Sequence, residues 1–257
     1  MKVVIIGSGN VATVMGGRIV AAGHDLRQVV ARREEAAALL ATSWGCAYTT
    51  RWEAIDRDAE IYIISLSDRA LAQLDTVLSL PGRLVVHTAG AVPASALLGI
   101  SARSGVLYPL QSLRKEIRPF PEFPLLIDAN QPADLPLIGD FARTIAGQVE
   151  QADDATRLKL HVAAIFANNF TNFLYTVAAD FCQKEQLDFS LLLPLIRETA
   201  LRLEHAAPRD VQTGPAIRGD RETMDRHLKI LDKYSDMSVL YRLLSDQIEV
   251  YYKGIAR

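Results

Sequence analysis

The sequence predicts an α/β chain: a doubly wound, mostly parallel sheet in the N-terminal part, followed by an all-helical C-terminal part. Three observations carry this reading. The short apolar run Val3 to Ile6 passes directly into a glycine-containing turn and then a helical pattern. Further short apolar runs then alternate with helical stretches as far as Val149, as they do when helices connect parallel strands. From Ala155 onward long helical periodicities replace the alternation, with no convincing strand to the C-terminus. The boundary is placed so that the two parts are 1–152 and 153–257.

The first strand and its turn come first because they imply a ligand. Val3 to Ile6 is suited to a strand buried on both faces. Gly7-Ser8-Gly9-Asn10-Val11-Ala12 follows, with Gly7, Gly9 and Ala12 at the spacing of a G-x-G-x-x-G/A fingerprint. Gly7 permits the tight strand-to-helix turn, Gly9 lets a pyrophosphate approach the backbone, and Ala12 lets helix and strand pack closely. The helix start offers unpaired N–H groups and a positive dipole end to the phosphates. All six residues are candidate dinucleotide-binding residues.

After the first helix, closed near Ala21-Ala22-Gly23, a second apolar run from Leu26 to Ala31 ends in Arg32-Arg33. In a dinucleotide fold this strand tip faces the adenine ribose, where an acid selects NAD and an arginine accommodates the 2′-phosphate of NADP. No carboxylate occurs before Glu34, so the reading favours NADP(H), with Arg32 and Arg33 as phosphate-binding candidates. The alternative is that both merely begin a solvated helix with Glu34 and Glu35 as partners.

A helix over Glu34 to Ala41 leads to a short strand at Cys46 to Tyr48, and another apolar strand spans Ile61 to Leu66. A helix is then expected from Ser67-Asp68 through Leu78, and a strand at Leu84 to His87 after Pro81-Gly82. Ligands of such sheets sit at the carboxyl ends of the strands. That makes Leu66, Ser67, Thr88 and Ala89 further cofactor-binding candidates. His87 stands at a strand tip before a hydroxyl and a glycine, placed either to donate to a ligand carbonyl or to shape its own loop. The strand Val106 to Tyr108 brings Tyr108 and Gln111 to the same edge. Pro119, Pro121 and Pro124 mark a surface segment before the strand Leu125 to Ile127, a helix over Leu135 to Ile145 and a last strand near Val149.

In the helical part, Leu158 to Cys182 reads as one helix that is apolar nearly all round, interrupted by His161, Asn168, Asn169 and Asn172. Such a helix is central to its domain or buried between subunits. Asn168, on the face of His161, either turns a carboxamide to a ligand or satisfies backbone groups in a packed core. Leu187 to Glu204 reads as a second long helix. In Thr213-Gly214-Pro215-Ala216-Ile217-Arg218-Gly219-Asp220, Asp220 is placed to cap the next helix and Arg218 to reach an anionic ligand. The last helices span Glu222 to Lys233 and Ser235 to Tyr252. His87, Tyr108, Asn168 and Arg218 are the catalytic candidates.

Composition narrows the class. The chain is 49% hydrophobic and 23% charged with a net charge of −2, and it has no basic block to suit nucleic acid. No apolar run is long enough to span a bilayer, and nothing at the start reads as a signal peptide. Cys46 and Cys182 lack metal-ligand spacing, which fits a reducing, cytoplasmic setting and no metal site.

Three stretches together resemble a known family: the Gly7 to Ala12 turn, His87-Thr88-Ala89-Gly90 with Tyr108-Pro109-Leu110-Gln111-Ser112, and Thr213 to Asp220 before His227. The family is the bacterial group called domain of unknown function 2520, a Rossmann-like, NADP-oxidoreductase-like group, and the resemblance covers essentially the whole chain. It implies a Rossmann-like N-terminal domain and a helical domain of the 6-phosphogluconate dehydrogenase C-terminal kind, which closes the substrate cleft and dimerises. Pyrroline-5-carboxylate reductase, ketopantoate reductase and the β-hydroxyacid dehydrogenases are better-known relatives. The hydroxyacid and ketopantoate enzymes carry a catalytic Lys with an Asn one turn later, whereas here Lys159 is followed by Ala163. The leading expectation is an NADP-dependent oxidoreductase moving a hydride to or from a small carbonyl, imine or hydroxyl compound. A non-catalytic NADP(H)-binding sensor or scaffold and a deazaflavin-dependent NADP reductase are the rivals.

Overall fold

The structure, a computed structural model, describes residues 1–253. Its described residues divide into two compact units, 1–170 and the residues from Thr171 onward.

The first unit is built on β1 (Lys2–Ile6), α1 (Asn10–Ala21), β2 (Asp25–Val30), α2 (Glu34–Trp44), β3 (Ala47–Thr49) and β4 (Ile61–Ile64). It continues through α3 (Asp68–Leu71), β5 (Leu84–His87), β6 (Ser104–Pro109), β7 (Pro124–Ala129), α4 (Leu135–Ile145), β8 (Gln148–Gln151) and α5 (Asp154–Ala164). The strands form one eight-stranded sheet in the order β3-β2-β1-β4-β5-β6-β7-β8. β1 to β6 are mutually parallel, and β7 pairs antiparallel with β6. The mostly parallel, doubly wound sheet expected from the sequence is therefore present.

Alternate residues of β1 feed two cores, as the two-residue strand period requires. Val3 and Ile5 pack with Val14, Ile19, Phe141 and Ile145 on one face. Val4 and Ile6 pack with Leu71, Leu78 and Leu97 on the other. Strand order reverses between β1 and β4, and the carboxyl ends of β1 to β6 share one sheet edge.

Three helical expectations are corrected. Past Ser67 the α-helix ends at Leu71 and a 3-10 turn covers Leu74–Thr76. Leu71, Leu74 and Leu78 are all buried there, so spacings of three and four residues are met without a regular helix. The helix expected over Leu158 to Cys182 is interrupted: α5 gives way to a π-helical turn over Ile165–Phe170, and α6 (Thr171–Lys184) follows. The stretch is also far from buried, with Phe166 65% exposed in the chain. The third is Leu187 to Glu204, which resolves into a 3-10 turn over Phe189–Leu192, α7 (Leu193–Leu201) and a 3-10 turn over Arg202–Glu204. Pro194 sits in the first turn of α7, a place proline tolerates, whereas inside a helix it removes a hydrogen bond and clashes one turn back.

The second unit is completed by α8 (Pro215–Arg218), α9 (Arg221–Leu231) and α10 (Ser235–Lys253). Asp220 caps α9, accepting from the Thr223 N–H at 3.1 Å and the Thr223 hydroxyl at 2.8 Å. Tyr234 donates to Glu185 at 2.9 Å, joining the end of α9 to the end of α6. Strands end at Gln151 and helix begins at Asp154, beside the 152/153 boundary read from the sequence. The compact units divide later, after Phe170, because α5 is tied to the sheet unit: Asp154 accepts from the Ala94 N–H at 3.0 Å, and Arg157 donates to the Val92 carbonyl at 2.6 Å.

Gly7 is required by this frame. It has φ +134°, and a Cβ on it would stand 2.3 Å from the Ser65 carbonyl oxygen at the tip of β4. Replacing Gly7 with Ala is expected to cost at least about 2 kcal/mol of stability. Urea unfolding measures this; an unchanged midpoint would show that the two strand tips separate freely.

Candidate active site at the sheet edge

The edge begins with the turn after β1. Gly9 has φ −83° and precedes α1 with no side-chain cap, so the first N–H groups of the helix have no partner within it. A Cβ on Gly9 would meet nothing within 4 Å. The open space above an uncapped helix start is what a pyrophosphate needs. Ser8, Gly9, Asn10 and Val11 are accessible there, while Ala12 is buried against Val3 and Ile5, giving the close helix–strand packing expected of it. Asn10 Oδ1 also accepts from the Lys115 N–H at 3.4 Å, so the loop after β6 reaches this turn.

Arg32 and Arg33 follow β2, both exposed; Arg33 is the N-cap of α2 and its carbonyl accepts from the Ala37 N–H at 3.1 Å, but neither guanidinium has a hydrogen bond or ion pair among the described residues. Glu34 instead accepts from the Tyr48 hydroxyl at 3.4 Å. The alternative in which Glu34 and Glu35 neutralise these arginines is not what the structure contains. After β4, Leu66 packs against the second core and Ser67 caps α3 through its hydroxyl. After β5, the Thr88 hydroxyl turns back to the Ile64 carbonyl at 3.4 Å and Thr88 and Ala89 are both buried.

Of the two roles open to His87, the contacts in this structure are those of a loop-shaping residue. Its ring is fully buried, with Nε2 3.2 Å from the Pro93 carbonyl and Nδ1 accepting from the Ala89 N–H at 3.2 Å. Both nitrogens are spent on its own loop. Burial disfavours the charged form and lowers the pKa to about 4, with the Arg157 charge acting in the same direction. His87 shapes the Thr88-Ala89-Gly90 turn.

The reactive groups meet one strand further on. The Tyr108 hydroxyl, at the end of β6, lies 3.1 Å from His161 Nδ1 on α5. Gly90 lies beneath this pair: a Cβ there would fall 2.8 Å from the Tyr108 ring and 2.9 Å from His161 Nδ1. With Nδ1 bare, His161 accepts the Tyr108 proton; with Nδ1 protonated, it donates to the phenolic oxygen and leaves the O–H free for a ligand. Burial raises the Tyr108 pKa, opposed in part by the Arg157 charge, so the phenol is neutral and holds its proton near neutral pH. The pair lines a pocket of about 530 Å³, whose other walls include Leu110, Gln111, Ser112, Ile165 and Asn168.

Asn168 is thus in the pocket wall, on the π-helical turn, with its amide 3.4 Å from Asn169 Oδ1. It is exposed, not part of a packed core. Arg218 belongs to the second unit, where it lines a separate 430 Å³ depression beside Glu249 and Tyr252. Sequence reasoning took Gly90 only as part of the strand-tip loop, passed over Arg157 and set His161 below Asn168. The available signal was the seven-residue spacing of His161 and Asn168, which marks one helix face. Arg157 carried no such sign; it is buried one turn before His161, and its contacts to Asp154 and Val92 fix α5 against the loop after β5. Among the described residues no cluster of His, Cys, Asp or Glu could hold a metal, and no helix is long and apolar enough to cross a membrane.

Comparison with known proteins places these features. The profile described as Domain of unknown function (DUF2520) matches residues 123–248. That described as NADP oxidoreductase coenzyme F420-dependent matches residues 2–90. A candidate NADP oxidoreductase of solved structure from Bacteroides fragilis is 38% identical, with a TM-score of 0.89 over 96% of this chain and 97% of that one. A pyrroline-5-carboxylate reductase from Coxiella burnetii is 15% identical, with a TM-score of 0.59 over 99% of this chain and 98% of its own. An imine reductase from Myxococcus stipitatus in complex with NADP+ is 14% identical, with a TM-score of 0.63 over 99% and 93% of the two chains. At these identities the last two share the fold alone. No curated protein matches the chain.

Two outcomes follow from the geometry of the edge. Gly9→Val fills open space, so the melting temperature should stay near wild type while NADPH binding weakens at least about tenfold; unchanged binding would remove the turn from the site. His87 titrates near its ordinary 6.5 in the unfolded chain and near 4 when folded. The unfolded chain therefore takes up this proton first: the contribution is full above pH 6.5 and is lost as pH falls toward 4. The loss is about 3 kcal/mol, and urea midpoints across this range should be flatter for His87→Asn than for wild type.

Proposed function

The chain belongs to the family of Domain of unknown function (DUF2520), an NADP-oxidoreductase-like family, and from that membership we propose that it is an NADP(H)-dependent oxidoreductase acting on a small carbonyl, imine or hydroxyl compound. The observation that carries the proposal is the Tyr108–His161 pair in a pocket whose wall runs on, through the loop after Ser112, to the glycine turn at Asn10. The turn from Gly7 to Ala12 would hold the pyrophosphate, and the unpaired Arg32 and Arg33 the 2′-phosphate.

NADPH, when bound, supplies a hydride to the substrate carbon and leaves as NADP+. The protein's part is the proton. Tyr108 donates it to the substrate oxygen or nitrogen, and His161, donating from Nδ1 to the phenolic oxygen, restores it. Gly90 lets the pair lie against the loop, and Arg157 holds α5 so that His161 stays opposite Tyr108. Asn168, also in the pocket wall, would offer a neutral amide to the ligand. Tyr108→Phe removes the donor without removing the ring, so kcat should fall by roughly 10²-fold or more while NADPH affinity is unchanged. Wild-type turnover in that variant would dismiss Tyr108 as the acid.

A second reading follows from the profile matched over residues 2–90, whose description names coenzyme F420: a deazaflavin would then exchange a hydride with NADP in place of the small substrate. Adding that deazaflavin to the same assay separates the two. NADPH binding without turnover on either would leave a sensor or scaffold.

The helical unit supports a homodimer. Among its described residues only three apolar side chains, Cys182, Ala216 and Met224, are buried, while Leu191, Leu195, Val239 and Val250 are all at least 60% exposed. An apolar surface of that extent is ordinarily covered by a partner. Light scattering should give twice the chain mass, and a monomer at micromolar concentration would refute it. Cys46 and Cys182 are free, in keeping with a cytoplasmic setting.

A further inference from the structure

The pocket beside Tyr108 has His161 as the one described lining side chain able to carry a positive charge, and that imidazole is engaged by Tyr108. Leu110, Leu160 and Ile165 give it aliphatic walls, and Gln111, Ser112 and Asn168 supply neutral hydrogen-bonding groups. Among the described residues no lysine, arginine or carboxylate lines it. The cations nearest in sequence are placed elsewhere. Arg157 is buried one turn before His161, with its guanidinium held by Asp154 and the Val92 carbonyl. Lys115, beyond Ser112, has its backbone at Asn10 in the glycine turn. Lys159 is exposed and not among the lining residues, and Ala163, one turn after it, presents only a methyl group to the pocket.

A carboxylate or phosphate moved from water into such walls loses its hydration without gaining a guanidinium or ammonium partner, and His161 is already engaged by Tyr108. Sites built for those groups supply a guanidinium or ammonium, usually with forked geometry. Amide and hydroxyl groups each donate and accept, and so suit an uncharged polar group. We propose that this pocket selects substrates without a carboxylate or phosphate: a small ketone or cyclic imine with an aliphatic body. Its reacting oxygen or nitrogen lies at Tyr108, and any second polar group lies at Gln111, Ser112 or Asn168. The volume of 530 Å³ accommodates a ring with a short substituent. The proposal rests on the oxidoreductase reading for the reaction, though the charge preference itself is a property of binding.

The test uses the wild-type chain and matched probes. With NADPH present, 2-methyl-1-pyrroline is compared with 1-pyrroline-2-carboxylate, similar rings without and with the acid. The expected result is a kcat/KM at least about tenfold higher for the ring that lacks the carboxylate, the loss a single unpaired buried charge readily causes. Equal values, or a preference for the acid, overturn the proposal. A binding arm keeps the two readings apart: calorimetry of the NADPH-loaded protein with 2-pyrrolidinone and with its 5-carboxylate. If neither imine is reduced but the neutral lactam binds at least tenfold tighter than the acid, the reaction assignment fails and the charge selection stands. Equal binding, tighter binding of the acid, or binding of neither probe overturns the charge selection.

Discussion

The tips of β1 and β4 approach so closely at Gly7 that the Ser65 carbonyl occupies the place of a Cβ. The rest of the edge depends on that approach. β1 and β4 are the neighbours between which strand order reverses, and in an open parallel sheet the loops diverge there to leave a crevice. A side chain at Gly7 would force the tips apart and alter the direction in which α1 leaves the sheet. With the tips together, α1 starts at once and turns uncapped N–H groups toward the space that Gly9 leaves open.

The Tyr108 end of the edge is assembled by contacts distant in sequence. Asp154 and Arg157 tie the first turn of α5 to the loop after β5, and one turn later His161 meets Tyr108 from β6. Three glycines contribute in three ways: Gly7 permits a close approach of strands, Gly9 keeps a volume open, and Gly90 lets an aromatic ring and an imidazole lie directly on backbone. The buried His87 holds that last loop in shape through two backbone hydrogen bonds. The strand-tip histidine is thereby engaged by its own loop, and the histidine that reaches the pocket is the one on a helix, His161.

What could be read from the sequence was local. Val3 to Ile6 and the following glycines announce strand, turn and helix within a dozen residues, and the later strands announce themselves by the same apolar runs. The two arginines after β2 were legible because they follow a strand directly. Pairing across long separations was not legible: Tyr108 and His161 are 53 residues apart, and no periodicity encodes which helix face will reach which strand tip. The π-helical turn at Ile165–Phe170 was hidden as well, since its residues fit an ordinary helical pattern. His87 misled because burial, which decides its role, depends on the packing of Pro93 and Ala89 around it.

The account stands on the claim that this edge holds NADP(H) through the glycine turn and the arginine pair. Calorimetric titration of the protein with NADPH and NADH side by side tests it most directly, repeated on Arg32→Ala/Arg33→Ala. The account predicts tighter binding of NADPH in the wild type and loss of that preference in the double variant, with NADH affinity little changed. Binding of neither nucleotide would contradict it and reduce the glycine turn to a structural device.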